Sequence, residues 1–194
     1  MNKLSLLSQH SSTPANQLHD PAPSEAEIKS ILQAAMSAPD HGGLTPFRFL
    51  LIQGDARQEL SRVFEDAARQ RGADEAAIQK QKDKPLRSPL IIPVIAKITD
   101  APGIPEIEQL LSAGCAAQHI QLACGALGYG SIWLTGENSY DLRVYEALGL
   151  DMNERIIGFI YVGTPDKKIN NKTRMDATTL TRPWMISQRT DFAI

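Results

Sequence analysis

Ser37-Ala-Pro-Asp-His-Gly-Gly-Leu-Thr-Pro-Phe-Arg-Phe49 joins the end of an amphipathic helix to the start of an apolar strand. Pro39 stops the helix, Gly42 and Gly43 permit backbone conformations closed to other residues, and Pro46 imposes an extended approach to the strand. Asp40 and His41 are left at the tip of a polar turn. Two readings follow: a loop shaped to meet a ligand, or a tight connection in which the glycines and prolines serve geometry alone.

The flanking sequence places that loop in a layered fold. Upstream, Ser24-Glu-Ala-Glu27 has the capping-box pattern, and Ile28, Ile31, Leu32, Ala35 and Met36 recur at helical spacing, which predicts a helix over 25–37. Downstream, 47–53 reads as one buried strand, Gly54 as a turn and Asp55 as the cap of a second helix carrying Leu60, Val63, Phe64 and Ala67 on one face. Residues 74–82 form an exposed helix of mixed charge. Leu90-Ile-Ile-Pro-Val-Ile-Ala96 is apolar enough for a strand covered on both faces, although Pro93 lacks an N–H and argues for an edge or a bulge.

After a loop over 99–103, Pro105 opens the longest helix, which runs to about Leu127 and ends at Gly128. Ala113, Gly114, Ala116, Ala117, Ala123, Gly125 and Ala126 leave it little surface relief, so other backbones can approach closely; it is the candidate central helix and a candidate dimer contact. Cys115 and His119 share one face of it, as a thiol–imidazole pair or as packing. A short strand over 131–134, a helix over 140–148 ended by Gly149, and a last strand over 156–163 complete the pattern. The tail, 164–194, has no sustained period; Trp184 beside Arg182 and Pro183 suggests that it wraps around something.

Composition excludes several functions. A net charge of -2 gives no basic field for nucleic acid, no run of about 18 apolar residues is present for a membrane span, and the first eight residues are too short and polar for a secretory signal. A cytoplasmic protein with neither nucleic-acid nor membrane partners is expected. Cys115 and Cys124 lie roughly 13 Å apart along one helix on opposite faces and cannot bridge each other. The glycines at 125, 128 and 130 end a helix rather than open one, so they make no dinucleotide fingerprint. The four histidines are scattered without ligand spacing, which argues against metal hydrolysis through Asp40 and His41.

Several separated segments, in order, resemble the FMN-dependent NAD(P)H nitroreductases, and within them the short YdjA-like group. They are Ser37-Ala-Pro-Asp-His-Gly42 with Thr45-Pro-Phe-Arg-Phe49, Ser88-Pro-Leu-Ile-Ile92, Ser112-Ala-Gly-Cys115, Gly130-Ser-Ile-Trp133 and Ile157-Gly-Phe-Ile-Tyr-Val-Gly-Thr-Pro165. The resemblance implies a single α+β domain over 1–194, with a mixed central sheet flanked by helices, in an intertwined homodimer that binds FMN where the subunits meet and that the tail wraps. It implies flavin contacts at Gln9, His10, Ser11 and Ser12, at Ser37 and His41, and at Trp133, Leu134 and Thr135. It also implies a nicotinamide-nucleotide region over Ala123, Cys124, Gly125, Ala126, Leu127 and Gly128. The reaction implied is hydride transfer from NAD(P)H through FMN to a nitroaromatic, quinone or similar small-molecule acceptor, with no side-chain nucleophile.

The chain departs from the family at two phosphate-binding positions. Gln9 stands where an arginine is usual, and Leu134 replaces the arginine after the tryptophan; Gly43 and Thr45 replace the Asn and Gln of more distant members. Each lost charge-assisted bond costs roughly 1.5–3 kcal/mol unless another cation substitutes, and Arg174 or Arg182 of the tail is the candidate. The alternative reading is a flavin-binding or scaffold protein of the same fold with little redox turnover.

Overall fold

The computed structural model describes residues 3–166 and 173–184. Its frame is two long strands, β4 (Leu90–Lys97) and β6 (Glu154–Pro165), which pair antiparallel from Leu90↔Val162 to Lys97↔Glu154. β5 (Gly130–Leu134) and the two-residue β1 (Leu18–His19) pair with β6, while β2 (Phe47–Phe49) and β3 (Ile52–Gln53) pair with β4. Every pairing among the described residues is antiparallel, where the resemblance implies a mixed sheet.

Helices cover both faces. On one face lie α2 (Glu25–Ala35) and α5 (Glu106–Ala126), whose Ile31, Ala113, Ala116, Ala117 and Ile120 meet Ile92 and Val94 of β4 and Ile160 and Val162 of β6. On the other lie α3 (Ala56–Gln70) and the short α6 (Leu142–Ala147), where Phe64 meets Phe159 edge-on at 5.4 Å. Two helices complete the set: α1 (Lys3–Ser8), which the sequence reading lacked, and α4 (Glu75–Asp83), capped by Asp74 as its position predicts. The α+β class and the flanked sheet are as expected.

Three expectations need correction. Residues 47–53 are two short strands, not one. Pro93 sits opposite the break and is the reason: it accepts a hydrogen bond from the Leu50 amide (3.2 Å) but has no N–H to return, so the ladder cannot run through. Of the two alternatives for Pro93, the edge is corrected, since β4 is an internal strand, and the bulge is met, since the register shift falls beside it, between Val94 and Ile95. Asp55 makes no side-chain cap bond, because the turn after Gly54 carries it into helical dihedrals before its carboxylate can fold back on the first amides.

The tail departs from its expected start, since β6 runs through Pro165. Met175, Leu180 and Trp184 are exposed on the single chain, and Arg182 with them. Lys167, Lys168, Lys172 and Arg189 lie outside the described residues.

At the end of the sheet away from the tail, Arg48 of β2 grips Glu154 of β6 with two hydrogen bonds, 2.6 and 2.7 Å. Glu154 is 2% exposed and also accepts the Asp151 amide (3.0 Å); the guanidinium holds its carboxyl below the usual carboxylate range. Glu154→Ala is expected to destabilise the fold by about 3 kcal/mol at pH 7, read from urea denaturation, because it strips the partner from a half-buried guanidinium and leaves a hole. A carboxyl whose folded pKa is lowered stabilises fully above its unfolded value and loses that contribution as pH falls through the folded one. The gap between wild type and variant therefore narrows toward acid.

Candidate functional site

A cleft of about 470 Å³ opens where the polar run Gln9-His-Ser-Ser-Thr13 near the N-terminus, the α5 helix, the end of β5 and the tail converge. Ser11, Ser12, Trp133, Thr135 and Arg174 line it together with His10, and Gln118 and Gln121 of α5 form its floor. Five of the expected site residues, at 10, 11, 12, 133 and 135, thus meet in one place although more than a hundred residues separate the two groups in the chain.

Backbone pairing makes this convergence. The Thr13 amide donates to the Ser131 carbonyl (2.9 Å), which fastens the polar run to β5. At Gly130 the two segments touch so closely that a Cβ would stand 2.7 Å from Leu18 Cδ2 and 2.9 Å from Thr13 Oγ1. Trp133 lies over Gly158 of β6, its Nε1–H donating to the Ile157 carbonyl (3.1 Å) and its far ring edge facing Gly114 of α5. The small residues of α5 and β6 therefore make room for one indole wall.

The polar groups suit an anion attached to a heterocycle. Among the described residues, the hydroxyls of Ser11, Ser12 and Thr135 have no protein hydrogen-bond partner, so each is free to donate. Arg174 reaches in from the tail, its Nη2 donating to the His10 carbonyl at 2.5 Å. Partial burial, and then the charge of Arg174, push the His10 imidazole below its usual range; its Nε2 faces the Gln121 amide at 3.3 Å. The site thus holds one full positive charge, several neutral donors and an aromatic wall. Sequence reasoning missed Gln118 and Gln121, since a glutamine within a helix carries no motif.

Four groups of expected residues lie elsewhere on the single chain. Gln9 is exposed beside the cleft without lining it. Leu134 turns to the opposite face of β5 and packs with the Phe159 and Tyr161 cluster, because successive strand residues point to opposite faces. Ser37 and His41 lie on the loop after α2: the Ser37 hydroxyl donates to the Ala34 carbonyl (2.7 Å) with His119 Nδ1 at 3.2 Å, and His41 Nδ1 lies 2.7 Å from Glu108. Ser37 rather than Cys115 is thus the side chain that meets His119, and both cysteines are free thiols.

Ala123, Cys124, Gly125, Ala126, Leu127 and Gly128 form the C-terminal end of α5, and none lines the cleft. The Tyr129 amide donates to the Cys124 carbonyl (2.9 Å) and the Gly128 amide to the Gly125 carbonyl (3.2 Å), a closure in which Gly128 takes φ +88. Burial pushes the Cys124 thiol up to about 12, so it is an inert packing group. A helix C-terminus carries negative partial charge, which opposes a pyrophosphate.

With this arrangement in view, comparison with known proteins identifies the class. The chain matches the nitroreductase family model over residues 17–164, and it belongs to the nitroreductase family. Within that family it falls with the YdjA-like group. It is 39% identical over 179 residues to YdjA of Escherichia coli (strain K12), provisionally named an NAD(P)H nitroreductase, covering 92% of this chain and 97% of the relative. It is 32% identical to a similarly named protein of Haemophilus influenzae, over 90% of this chain and 95% of that one. Among solved structures, a nitroreductase-like protein from Bacillus cereus superposes with TM-score 0.82 at 22% identity, covering 95% and 96% of the two chains. An FMN-dependent nitroreductase from Clostridium difficile superposes at TM-score 0.69 and 20% identity, over 94% and 99%.

The Trp133 wall depends on two glycines, one of them without tolerance. Gly158→Ala would set a Cβ 2.1 Å from Trp133 Nε1 and 3.0 Å from the Leu134 carbonyl, so the indole must move; a loss of about 1–3 kcal/mol and a shift in tryptophan emission are expected. Gly125→Ala meets nothing within 4 Å and lies inside a helix. It is expected to raise stability by about 0.5–1 kcal/mol in the same denaturation assay.

Proposed function

We propose that the chain is an FMN-dependent oxidoreductase that takes hydride from NAD(P)H and passes electrons to a nitroaromatic, quinone or similar acceptor, working as a homodimer in the cytoplasm. Family membership and the names of the relatives support the class of reaction and both cofactors. The observation that carries the reading in this chain is Arg174, a cation brought to the cleft where the usual phosphate arginine is Gln9.

Bound in the cleft, FMN supplies the hydride-accepting ring. The chain supplies the surroundings. Arg174 would offset one charge of the phosphate; Ser11, Ser12 and Thr135 would donate to its oxygens or to the polar edge of the ring system; Trp133 would close one side of the slot. Partial burial, and then the charge of Arg174, hold the His10 imidazole below its usual range, which disfavours a second positive charge there. Oriented donors in a site that partly excludes water are worth more than the same groups in solvent.

Ser37 and His41 join this site in our reading through a second copy of the chain. Ile107 and Leu111 of α5 and Leu4 and Leu7 of α1 are exposed apolar side chains that such a copy would cover, and among the described residues no helix is long and apolar enough to cross a membrane. Ala123 to Gly128 remain the candidate nicotinamide contact from the resemblance, with its backbone amides already committed to the helix end.

The test is the visible spectrum of purified protein before and after FMN addition and anaerobic NADPH or NADH. A yellow protein bleached by a nucleotide supports the reading; a colourless protein that retains no FMN supports the alternative of a binding or scaffold protein. Arg174→Ala is expected to weaken FMN binding about 10- to 100-fold in a fluorescence titration, the loss of one charge-assisted contact to phosphate. Arg182→Ala, which makes no described contact with the cleft, leaves the affinity unchanged.

A further inference from the structure

We propose that His10 selects a phosphate dianion as the ligand of the cleft by taking up a proton when that anion binds, with Gln121 as the positioning residue that serves the imidazole in both charge states. This rests on the FMN-dependent reading above, and deepens it by assigning the second positive charge of the site.

Positive charge is what the cleft lacks. A phosphate monoester carries about 1.5 to 2 negative charges at neutral pH, whereas Arg174 is the one full cation among the described residues that line the space. His10 is placed to supply the rest. It lines the cleft beside Ser11 and Ser12, and its carbonyl accepts from Arg174 Nη2, so imidazole and guanidinium border the same space. Its Nε2 meets Gln121 Nε2 at 3.3 Å, which leaves Nδ1 as the nitrogen without a protein partner among the described residues.

Gln121 makes the imidazole able to change charge in place. A carboxamide carries a donor and an acceptor on one planar group: its NH2 donates to the bare Nε2 of neutral imidazole, and, turned over, its oxygen accepts from the Nε2–H of imidazolium. Neither state is stranded. Gln121 is 3% exposed, so the contact is made inside the protein, where a glutamate would hold the proton at all times and a leucine would leave the nitrogen unsatisfied.

The free chain favours the neutral form, because partial burial, and then the charge of Arg174, lower the His10 pKa. A dianion seated at Arg174 offsets the second cause and adds an opposite charge of its own. The proton comes from solvent and no bond in the ligand breaks. Charges on the surrounding elements are engaged elsewhere. His119 of α5 faces Ser37 and the Ala34 carbonyl (3.3 Å), His19 pairs with Asp166 (2.7 Å), and Asp176 of the tail accepts the Thr178 amide (2.9 Å). Binding that raises the imidazole pKa takes up a proton at pH values between the free and bound values, so affinity falls as pH rises through that window, by at most about tenfold per unit for one proton.

The experiment is a calorimetric titration of FMN into flavin-free protein at pH 7, in Tris and in PIPES, whose different ionisation enthalpies count the protons exchanged. Wild type is expected to take up about 0.3–1 proton per FMN. His10→Gln is expected to take up none and to bind FMN about 3- to 10-fold more weakly at pH 7, with the difference from wild type shrinking toward pH 8.5. Gln121→Glu is also expected to take up none, since its carboxylate holds the imidazolium beforehand; in the free variant the His10 NMR resonance titrates at higher pH than in wild type, a change that a purely structural contact would not produce. Should a variant fail to fold, the wild-type proton count decides by itself. FMN bound with no proton taken up, uptake undiminished in His10→Gln, or equal uptake with riboflavin, which has no phosphate, would overturn the inference alone. Wild-type protein that binds no FMN overturns the FMN reading and this one with it.

Discussion

The alanine face of α5 against β4 and β6 is the contact on which the rest depends. Ala113, Ala116 and Ala117 are fully buried there, and their small side chains let the helix lie close to a sheet whose facing residues, Ile92, Val94, Ile160 and Val162, are bulky. Close packing of this kind gains dispersion along the whole contact and tolerates little added volume. It also sets the depth of the cleft. With α5 drawn in, Gly114 leaves space for the edge of Trp133, and Gln118 and Gln121 come level with the N-terminal polar run.

From that frame the site is assembled by chain ends rather than by one motif. The polar run reaches β5 through a single backbone bond at Thr13, and Arg174 arrives from beyond β6 to meet the His10 carbonyl. Among the described residues, the hydrogen bond that ties this cation to the body is the one from Arg174 to the His10 carbonyl. An anionic ligand bridging Arg174 and the serine hydroxyls would add a second tie between tail and body and stabilise that arrangement by linkage.

The loop after α2 is built in the opposite manner. Asp40, Gly42 and Glu108 fix it from within the single chain, and His119 fixes the carbonyl end of α2 beside Ser37. It is complete before any ligand or second copy arrives. Groups held in place within the single chain act on a ligand without reorganising as it binds.

Much of this was legible along the chain. The capping box at Ser24 and Glu27, the helix stops at Gly128 and Gly149, the break imposed by Pro39 and the apolar run at 90–96 are local, because each depends on the dihedral freedom, the missing N–H or the side-chain period of a few neighbours. The resemblance to the nitroreductase family pointed to five residues that line the cleft, at 10, 11, 12, 133 and 135, and the absence of arginine at 9 and 134 pointed to the tail. What the chain could not disclose is which face each residue would take. Leu134 turned inward, Pro93 went to the centre of the sheet and divided its neighbour, Gln118 and Gln121 entered the cleft, and Arg174 rather than Arg182 supplied the charge. Those outcomes depend on strand register and on contacts between residues more than a hundred positions apart, and only the packed fold sets them: sequence by itself determined the elements and their stops, and tertiary structure decided which side chains share a space.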